Sequence, residues 1–200
     1  MIGNALEFER PIVELEQLLD ELRKPEKRAE ARETGIDLDA EVARIETELR
    51  RAAEQIFANL SPWEETLLAR HRSRPYALDY VRLIFDRYME LAGDRLAAND
   101  EAVIGGPAFL GNQPVMVIGQ QKGRDLRERQ RRNFGSARGP GFRKALRLAR
   151  MAERFHRPLV SFVDTSAAAA DLQAEQTGVS EAIARNMAEF AFLRTPIVVV

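Results

Sequence analysis

Short, strongly apolar runs alternate with amphipathic helical patterns through the second half of the chain. The runs AVIGGPAFL and PVMVIG are rich in β-branched residues and are joined by GNQ, which predicts two strands and a tight turn. GFRKALRLARMAERF and SEAIARNMAEFAFL have helical periodicity, whereas RPLVSFVD and TPIVVV return to strand patterns. Strands that are apolar at every position, such as PIVVV, are typical of a parallel sheet covered by helices. The order ββαβαβ therefore predicts an α/β fold with a mainly parallel sheet.

Residues 1–60 follow a different pattern. They are charged, nearly free of glycine, and apolar at steps of three and four residues, which predicts amphipathic helices. Pro25 and the segment ETGID separate two helical runs, and Asp37 or Asp39 is suited to cap the second. We predict an antiparallel helical hairpin over 1–60 and an α/β domain over 61–200. The apolar stripe of such a hairpin packs on the protein's own body or on a partner subunit more often than it forms an independent coiled coil.

The composition excludes several kinds of chemistry. The 200 residues include 30 Lys or Arg and 31 Asp or Glu, so the net charge of -1 creates no global field that favours nucleic acid or an anionic membrane. Because the sequence has no cysteine, disulfides, thiolate zinc sites and cysteine nucleophiles are excluded. The sequence shows neither a membrane-spanning apolar run nor a signal-peptide pattern, so we expect a cytoplasmic protein. It also lacks the motifs G-x-G-x-x-G, G-x-x-x-x-G-K-[ST] and G-x-S-x-G, which removes support for nucleotide-loop and serine-hydrolase classes.

The densest positive charge lies in the basic segment, residues 119–144. It has nine Lys or Arg residues, two acids and five glycines. Glycine allows close backbone approach to a ligand, and the start of the following helix can help to hold a phosphate or carboxylate. We identify Lys122, Gly123 and Arg124 as candidate anion or cofactor contacts. A solvated basic face is the main alternative, and nucleic-acid binding is a weaker one because the segment interleaves few aromatic side chains.

Glycines inside a strand pattern and an acid at a strand end supply further candidates. Gly105 and Gly106 lie in the run AVIGGPAFL, where glycine indicates a bulge or a close backbone contact, and we include both as candidate cofactor contacts. Asp164 follows a predicted strand, where an acid is a candidate catalytic group but more often caps a helix or binds loop amides. The last predicted strand ends at Val200, before any covering loop and helix, so we expect the first part of a domain.

Several segments together resemble a known family in their order and spacing. They are EFERPIVELE, RPYALDYVRLIFD, ELAGDR, AVIGG, PVMVIGQQKGR, RRNFG, GFRKALRLARMAERF and SEAIARN, and they are similar to the alpha subunits of bacterial acetyl-CoA carboxylase carboxyltransferases. The resemblance runs from the first helix to Val200. It implies a crotonase-like fold of ββα units, incomplete here, with no metal on this chain.

The resemblance also implies a reaction and partners. In that family a carboxyl group passes from carboxybiotin, carried on the biotin carboxyl carrier protein, to acetyl-CoA, giving malonyl-CoA for fatty acid synthesis. The implied assembly is an alpha2beta2 heterotetramer with a zinc-bearing beta subunit, working with biotin carboxylase. Two alternatives stay open: a non-catalytic truncated copy that serves as an assembly or regulatory module, and a nucleic-acid binder that uses the basic segment.

The chain departs from the family at its implied catalytic turn. The chemistry needs backbone N–H donors for enolate-like oxyanions, and the family's first turn reads Pro-Gly-Ala-Tyr-Pro-Gly directly after Asp-Thr. Here the six residues Ser166–Asp171 read SAAAAD, and the family's second, glycine-rich turn would follow TPIVVV. The family's His-Gln-Lys-Gly reads QQKG in this chain, starting at Gln120.

We take four residues as the remnant of the oxyanion turn: Thr165, Ser166, Ala167 and Ala168. Four consecutive alanines favour helix, and a serine before them is suited to be an N-cap. We therefore expect residues 167–173 to be helical or disordered, without convergent N–H groups, and Ser166 to cap a helix that begins at Ala167.

Overall fold

A computed structural model describes residues 5–34 and 37–200. The chain divides into two compact units, Met1–Arg74 and Pro75–Val200. The division between these units falls after Arg74, whereas the boundary predicted from the sequence lies at residue 60. A capping box explains the difference, because Ser61 and Glu64 exchange side-chain and backbone hydrogen bonds and start another helix straight after the hairpin.

The first unit contains the predicted helical hairpin. Its helices are α1 (Arg10–Leu22), α2 (Pro25–Thr34), α3 (Leu38–Ala58) and α4 (Pro62–Ala69), preceded by a 3-10 turn at Glu7–Glu9. The Phe8 ring lies 6.3 Å from the Phe57 ring, and Arg23 pairs with Glu46 at 2.6 Å, so the start of α1 lies near the end of α3. This arrangement confirms the antiparallel pairing.

Two details of the hairpin refine the sequence prediction. The helical run breaks at Pro25 as predicted, because α1 ends at Leu22, a turn follows, and Pro25 starts α2, where proline is tolerated in the first turn of a helix. Asp37 is the cap of α3, since its Oδ1 accepts the Ala40 N–H at 3.0 Å. The segment ETGID falls partly outside the described residues.

The second unit is a four-stranded sheet with helices. Its elements are α5 (Ala77–Ile84), β1 (Val103–Leu110), β2 (Gln113–Gln120), α6 (Leu126–Arg131), α7 (Gly139–Arg154), β3 (Leu159–Phe162), α8 (Leu172–Gln176), α9 (Val179–Phe190) and β4 (Ile197–Val199). The sheet order is β1-β2-β3-β4, with β1 antiparallel to β2 and the pairs β2–β3 and β3–β4 parallel. The predicted α/β architecture is confirmed, and α5, α6 and α8 are additional to the predicted helices.

A large hydrophobic cluster covers each face of the sheet. On one face, α5 packs against Ile104, Val117 and Phe162. On the other face, α7 packs against Met116, Ile118 and Leu159. Because successive strand residues point to opposite faces, a central strand covered on both sides must be apolar at every position. This explains the continuous apolar pattern of β2.

Candidate functional site

The carboxyl ends of β2 and β3 meet at one edge of the sheet. The two strands pair in parallel from Met116–Leu159 to Gly119–Phe162, so the loops that follow them leave side by side. We call residues 120–124, 133–138 and 163–171 together the carboxyl-edge site. Its middle segment lies against the other two, because a Cβ added to Gly135 would lie 2.9 Å from Lys122 Cγ and 3.4 Å from the Asp164 carbonyl oxygen. In open α/β sheets, ligands gather at such an edge.

Lys122 and Asp164 are brought together at this edge. The Lys122 ammonium forms an ion pair with the Asp164 carboxylate, and the two side chains are 20% and 30% exposed. The Asp164 N–H donates to Gln120 Oε1 at 3.1 Å, which fixes the start of the loop after β3. Lys122 is therefore already neutralised, and an anionic ligand would have to compete with a carboxylate of the chain for it.

Gly123 and Arg124 shape the loop after β2. Gly123 has φ +92°, and a Cβ there would come within 2.8 Å of the Arg129 backbone nitrogen, so this position needs glycine. The Arg124 guanidinium lies 4.0 Å from the Tyr76 ring centroid and pairs with Asp79 at the start of α5. Arg124 thus ties the loop to α5.

Charged and polar contacts at the start of α5 strengthen the link between α5 and the loop after β2. Burial opposes ionisation of Asp79, but the Tyr76 N–H and the Arg124 guanidinium outweigh it and lower the pKa of the carboxyl group. The buried Gln121 side chain adds a second link, because its Oε1 accepts the Leu78 N–H at 3.0 Å.

Most cations of the basic segment are paired within the chain. Four further arginine pairs have N–O distances of 3.1, 2.9, 2.7 and 2.9 Å: Arg131–Glu101, Arg132–Glu128, Arg138–Asp171 and Arg143–Asp94. Lys144 is fully buried and donates to the Val103 carbonyl oxygen at 2.7 Å. Arg127 is exposed and has no ion-pair partner among the described residues. The folded chain therefore supplies counter-charges for most of these residues. The solvated basic face stays a prediction, since Arg124, Arg127 and Arg131 are exposed.

Gly105 and Gly106 lie inside the sheet. The pairing of β1 with β2 is continuous from Val103–Gln120 to Leu110–Gln113, so the predicted bulge is wrong. A Cβ on Gly106 would lie 1.8 Å from the Met89 carbonyl oxygen, and one on Gly105 would lie 2.6 Å from Leu148 Cδ1. The predicted close backbone contact is confirmed for both glycines, since a Cβ on Gly105 would also lie 2.7 Å from the Val117 carbonyl oxygen, but atoms of the chain itself make these contacts. Atoms of the chain therefore fill the space that a ligand would need beside these glycines.

The alanine run, residues 167–170, is not helical. Helix α8 begins at Leu172, and Asp171 is its cap, since Asp171 Oδ1 accepts the Ala174 N–H at 2.8 Å. The expectations of a helix from Ala167 and of a Ser166 cap are wrong. Tertiary hydrogen bonds hold the run in another conformation: the Thr165 hydroxyl donates to the Gly135 carbonyl oxygen, and the Ala169 N–H donates to the Ala137 carbonyl oxygen, both at 2.9 Å.

The alanines are not strained by this conformation. All positive φ values among non-glycine residues of the described chain fall elsewhere, so no alanine of the run takes up the left-handed region. Ala169 is buried beside Ala174 and Val179, whereas Ser166 and Ala167 are exposed. The loss of the family's glycines therefore imposes no backbone penalty here.

Four backbone amides between Ser166 and Ala170 are unpartnered. The N–H groups of Ser166, Ala167, Ala168 and Ala170 donate no hydrogen bond to any residue that the structure describes. Free, partly exposed N–H groups are the donors that an oxyanion requires. The expectation that helix formation would consume these amides is wrong.

The ion pair of Arg138 with Asp171 is the feature of the site that the sequence did not predict. Arg138 Nη2 contacts Asp171 Oδ2 at 2.7 Å, and Nε contacts both carboxylate oxygens at 3.1 Å. Spacing could not reveal the pair, because its members belong to different loops. One sequence feature could have indicated the pair: Asp171 stands where the family's turn ends in glycine.

The described residues offer neither a metal site nor a membrane span. Within 5–34 and 37–200, no group of three or more His, Asp or Glu side chains is arranged to hold a metal ion. None of the helices in the same ranges combines the length and apolarity that crossing a membrane requires.

Comparison with solved structures defines the class of the fold. The chain is similar to a single-chain, multi-domain long-chain acyl-CoA carboxylase, with TM-score 0.51, 19% identity, and coverage of 64% of this chain and 12% of that one. It is also similar to transcarboxylase 12S, with TM-score 0.50, 20% identity, and coverage of 64% and 24%. The chain shares the crotonase-like fold of these structures, as predicted.

Sequence comparison identifies the family. The family model described as "Acetyl co-enzyme A carboxylase carboxyltransferase-like" matches residues 5–200, and the chain belongs to this family. The acetyl-coenzyme A carboxylase carboxyl transferase subunit alpha of Halorhodospira halophila is 50% identical over 198 residues, covering 99% of this chain and 61% of that protein. The corresponding subunit of Idiomarina loihiensis is 50% identical over 195 residues, covering 98% and 60%. The chain thus spans about 60% of the length of these curated relatives.

Proposed function

We propose that this chain acts as an alpha subunit of an acetyl-CoA carboxylase carboxyltransferase, transferring a carboxyl group from carboxybiotin to acetyl-CoA to give malonyl-CoA. The observation that carries the proposal is the segment Ser166–Ala170, in which every amide except that of Ala169 remains free at the carboxyl edge of the sheet. Family membership supports the reaction. The internal pairing of the basic segment speaks against the nucleic-acid alternative, because such binding needs cations free to neutralise phosphates.

The reaction explains why amides are needed. The N–CO₂ bond of carboxybiotin breaks, the acetyl methyl group loses a proton that passes to the biotin nitrogen, and a new C–C bond forms. Negative charge develops on a carbonyl oxygen of biotin and of the acetyl group during these steps. Fixed N–H donors stabilise such an oxyanion, and removing one typically lowers kcat about 10²-fold to 10³-fold.

The sequence of the family's turn limits which backbone amides can be the oxyanion donors. The resembled Pro-Gly-Ala-Tyr-Pro-Gly places prolines, which have no N–H, at the positions of Ser166 and Ala170 in this chain. The Ala169 N–H is bonded to Ala137. Within the alanine run, Ala167 and Ala168 are therefore the proposed oxyanion donors.

The proposed partners follow from the family. We assign a zinc-bearing beta subunit, an alpha2beta2 assembly, a carboxylated biotin carrier protein charged by biotin carboxylase, and a cytoplasmic location. The names of the relatives support the subunit role, since each is called subunit alpha. We place the zinc on the beta subunit, and no step proposed for this chain's residues passes through it.

The test uses proline as an amide deletion. The chain is mixed with a beta subunit and carboxylated carrier protein, and malonyl-CoA formation is measured. We expect Ala167→Pro or Ala168→Pro to lower kcat about 100-fold. Ser166→Pro and Ala170→Pro are matched controls that restore the family's residues, and we expect both to remain active. Absence of product from the unmodified chain, with the beta subunit bound, would instead favour the non-catalytic module.

A further inference from the structure

The loop after β3 is attached to the segment before α7 at three points. Two are the hydrogen bonds from Thr165 to Gly135 and from Ala169 to Ala137, both 2.9 Å. The third is the bidentate pair of Arg138 with Asp171, at 2.7 and 3.1 Å. This pair attaches the end of the loop, where α8 begins.

Asp171 has two roles in this arrangement. Its backbone is extended, with φ -102° and ψ 167°, and its side chain caps α8, so the helix cannot continue backwards into the alanines. The same carboxylate accepts the Arg138 guanidinium, and this hydrogen bond is the main cause of the lowered pKa of Asp171.

Arg138 is held on a rigid element. It is the residue before α7, and its backbone N–H donates to Asp100 Oδ2 at 2.7 Å. Its side chain contributes no cap to α7. Replacing the side chain therefore removes the contact with Asp171 and leaves the backbone anchor in place.

Local preference alone would not keep the run open. Alanine has the highest intrinsic helix propensity, and the family's glycines and prolines, which disfavour helix, are absent from this turn. Something outside the run must therefore oppose the formation of helix. A bidentate, charge-assisted pair is a strong and geometrically specific way to do so.

We propose that Arg138 and Asp171 are positioning residues that hold Ser166–Ala170 out of a helix and keep the Ala167 and Ala168 amides open. The pair replaces the conformational restriction that proline and glycine supply in the resembled turn. The conformational part stands independently of the reaction, whereas the use of the amides rests on the proposed function.

Hydrogen–deuterium exchange of the full chain, without substrate or partner, tests the conformational part. In Arg138→Ala we expect the Ala169 amide to exchange about fivefold faster, because the loop loses one of its three attachments. Arg138→Lys should restore part of the protection. Arg127→Ala is the matched control, because it removes an exposed arginine without an ion-pair partner among the described residues, and it should leave Ala169 unchanged.

A second variant and a core amide distinguish the loss of the Arg138–Asp171 pair from misfolding. Asp171→Asn keeps an oxygen that can cap α8 but loses the charge, so it should also speed exchange at Ala169. Protection of the Val117 amide in the central strand reports whether the fold is intact. Unchanged exchange at Ala169 in both variants, with Val117 protected, would overturn the inference.

Turnover separates this inference from the proposed function. With a beta subunit and carboxylated carrier, Arg138→Ala should lower kcat more than it raises KM for acetyl-CoA, and Arg138→Lys should recover part of kcat. Faster exchange at Ala169 in a chain that never turns over would sustain the positioning role and contradict the reaction. Unchanged exchange would contradict the positioning role whatever the activity.

Discussion

Lys122 and Asp164, which follow two neighbouring parallel strands, form an ion pair across the carboxyl edge of the sheet. Both side chains are partly buried, and Gln120 fixes the backbone of Asp164. The pair joins the two loops that form the site, so its contribution to stability should exceed that of an exposed pair.

A double-mutant cycle measures this contribution. We expect Lys122→Met and Asp164→Asn to show a coupling free energy of about 1 kcal/mol in urea unfolding. The control pair is Glu181 and Arg185 on α9, whose side chains are 62% and 57% exposed at 3.4 Å. Its coupling should be about 0.3 kcal/mol. Equal coupling in the two cycles would contradict the structural importance of the edge pair.

Asp94 should be a strong determinant of acid stability. Its fully buried carboxylate accepts the Arg143 Nε–H at 2.9 Å and three backbone N–H groups, those of Leu96, Ala97 and Ala98. Burial alone would raise the pKa of Asp94, but these donors outweigh it and lower the pKa well below the ordinary value of 3.8.

The sign of the pH dependence follows from that shift. Because the folded pKa is lower than the unfolded one, the stabilisation is complete above about pH 4 and is lost as pH falls toward the folded pKa. Asp94→Asn should lower the unfolding free energy at pH 7 by about 3 kcal/mol and flatten its fall between pH 4 and pH 2. Asp125→Asn, at the exposed cap of α6, should cost less than about 1 kcal/mol. The prediction would be contradicted if the unfolding free energy of Asp94→Asn fell between pH 4 and pH 2 as steeply as that of the unmodified chain.

Gly106 should tolerate no side chain. A Cβ there would lie 1.8 Å from the Met89 carbonyl oxygen, and backbone atoms cannot move aside cheaply. Gly106→Ala should therefore lower the unfolding free energy by about 3 kcal/mol. The control is Gly111→Asn, where φ is +57° and the space is open, so the cost should stay below about 1 kcal/mol. Thermal or urea unfolding of both variants checks this, and a mild effect at Gly106 would show that β1 and Met89 can separate.

Much of the fold was predictable from the chain. Helical periodicity gave the hairpin, and Asp37 was one of the two predicted caps. The uninterrupted apolar pattern of β2 indicated a covered, mainly parallel sheet, because only a strand buried on both faces needs apolar residues at every position. Lys122, Gly123 and Asp164 were also found as candidates, since strand ends in such sheets are where loops meet.

The partners of the basic residues were not predictable. The sequence places nine cations close together, and that pattern fits a solvated face, an anion site or a nucleic-acid surface. Most of their counter-charges come from distant positions, such as Asp79 for Arg124 and Glu101 for Arg131. Periodicity describes one element at a time and carries no information about which carboxylate lies opposite a given arginine.

The order and type of most elements were determined by the sequence itself, because hydrophobic periodicity and turn chemistry act over a few neighbouring residues. The conformation of Ser166–Ala170 was decided only by the tertiary structure. Helix propensity is worth only fractions of about 1 kcal/mol per residue, so hydrogen bonds to Gly135 and Ala137, closed by the pair of Arg138 with Asp171, outweigh it.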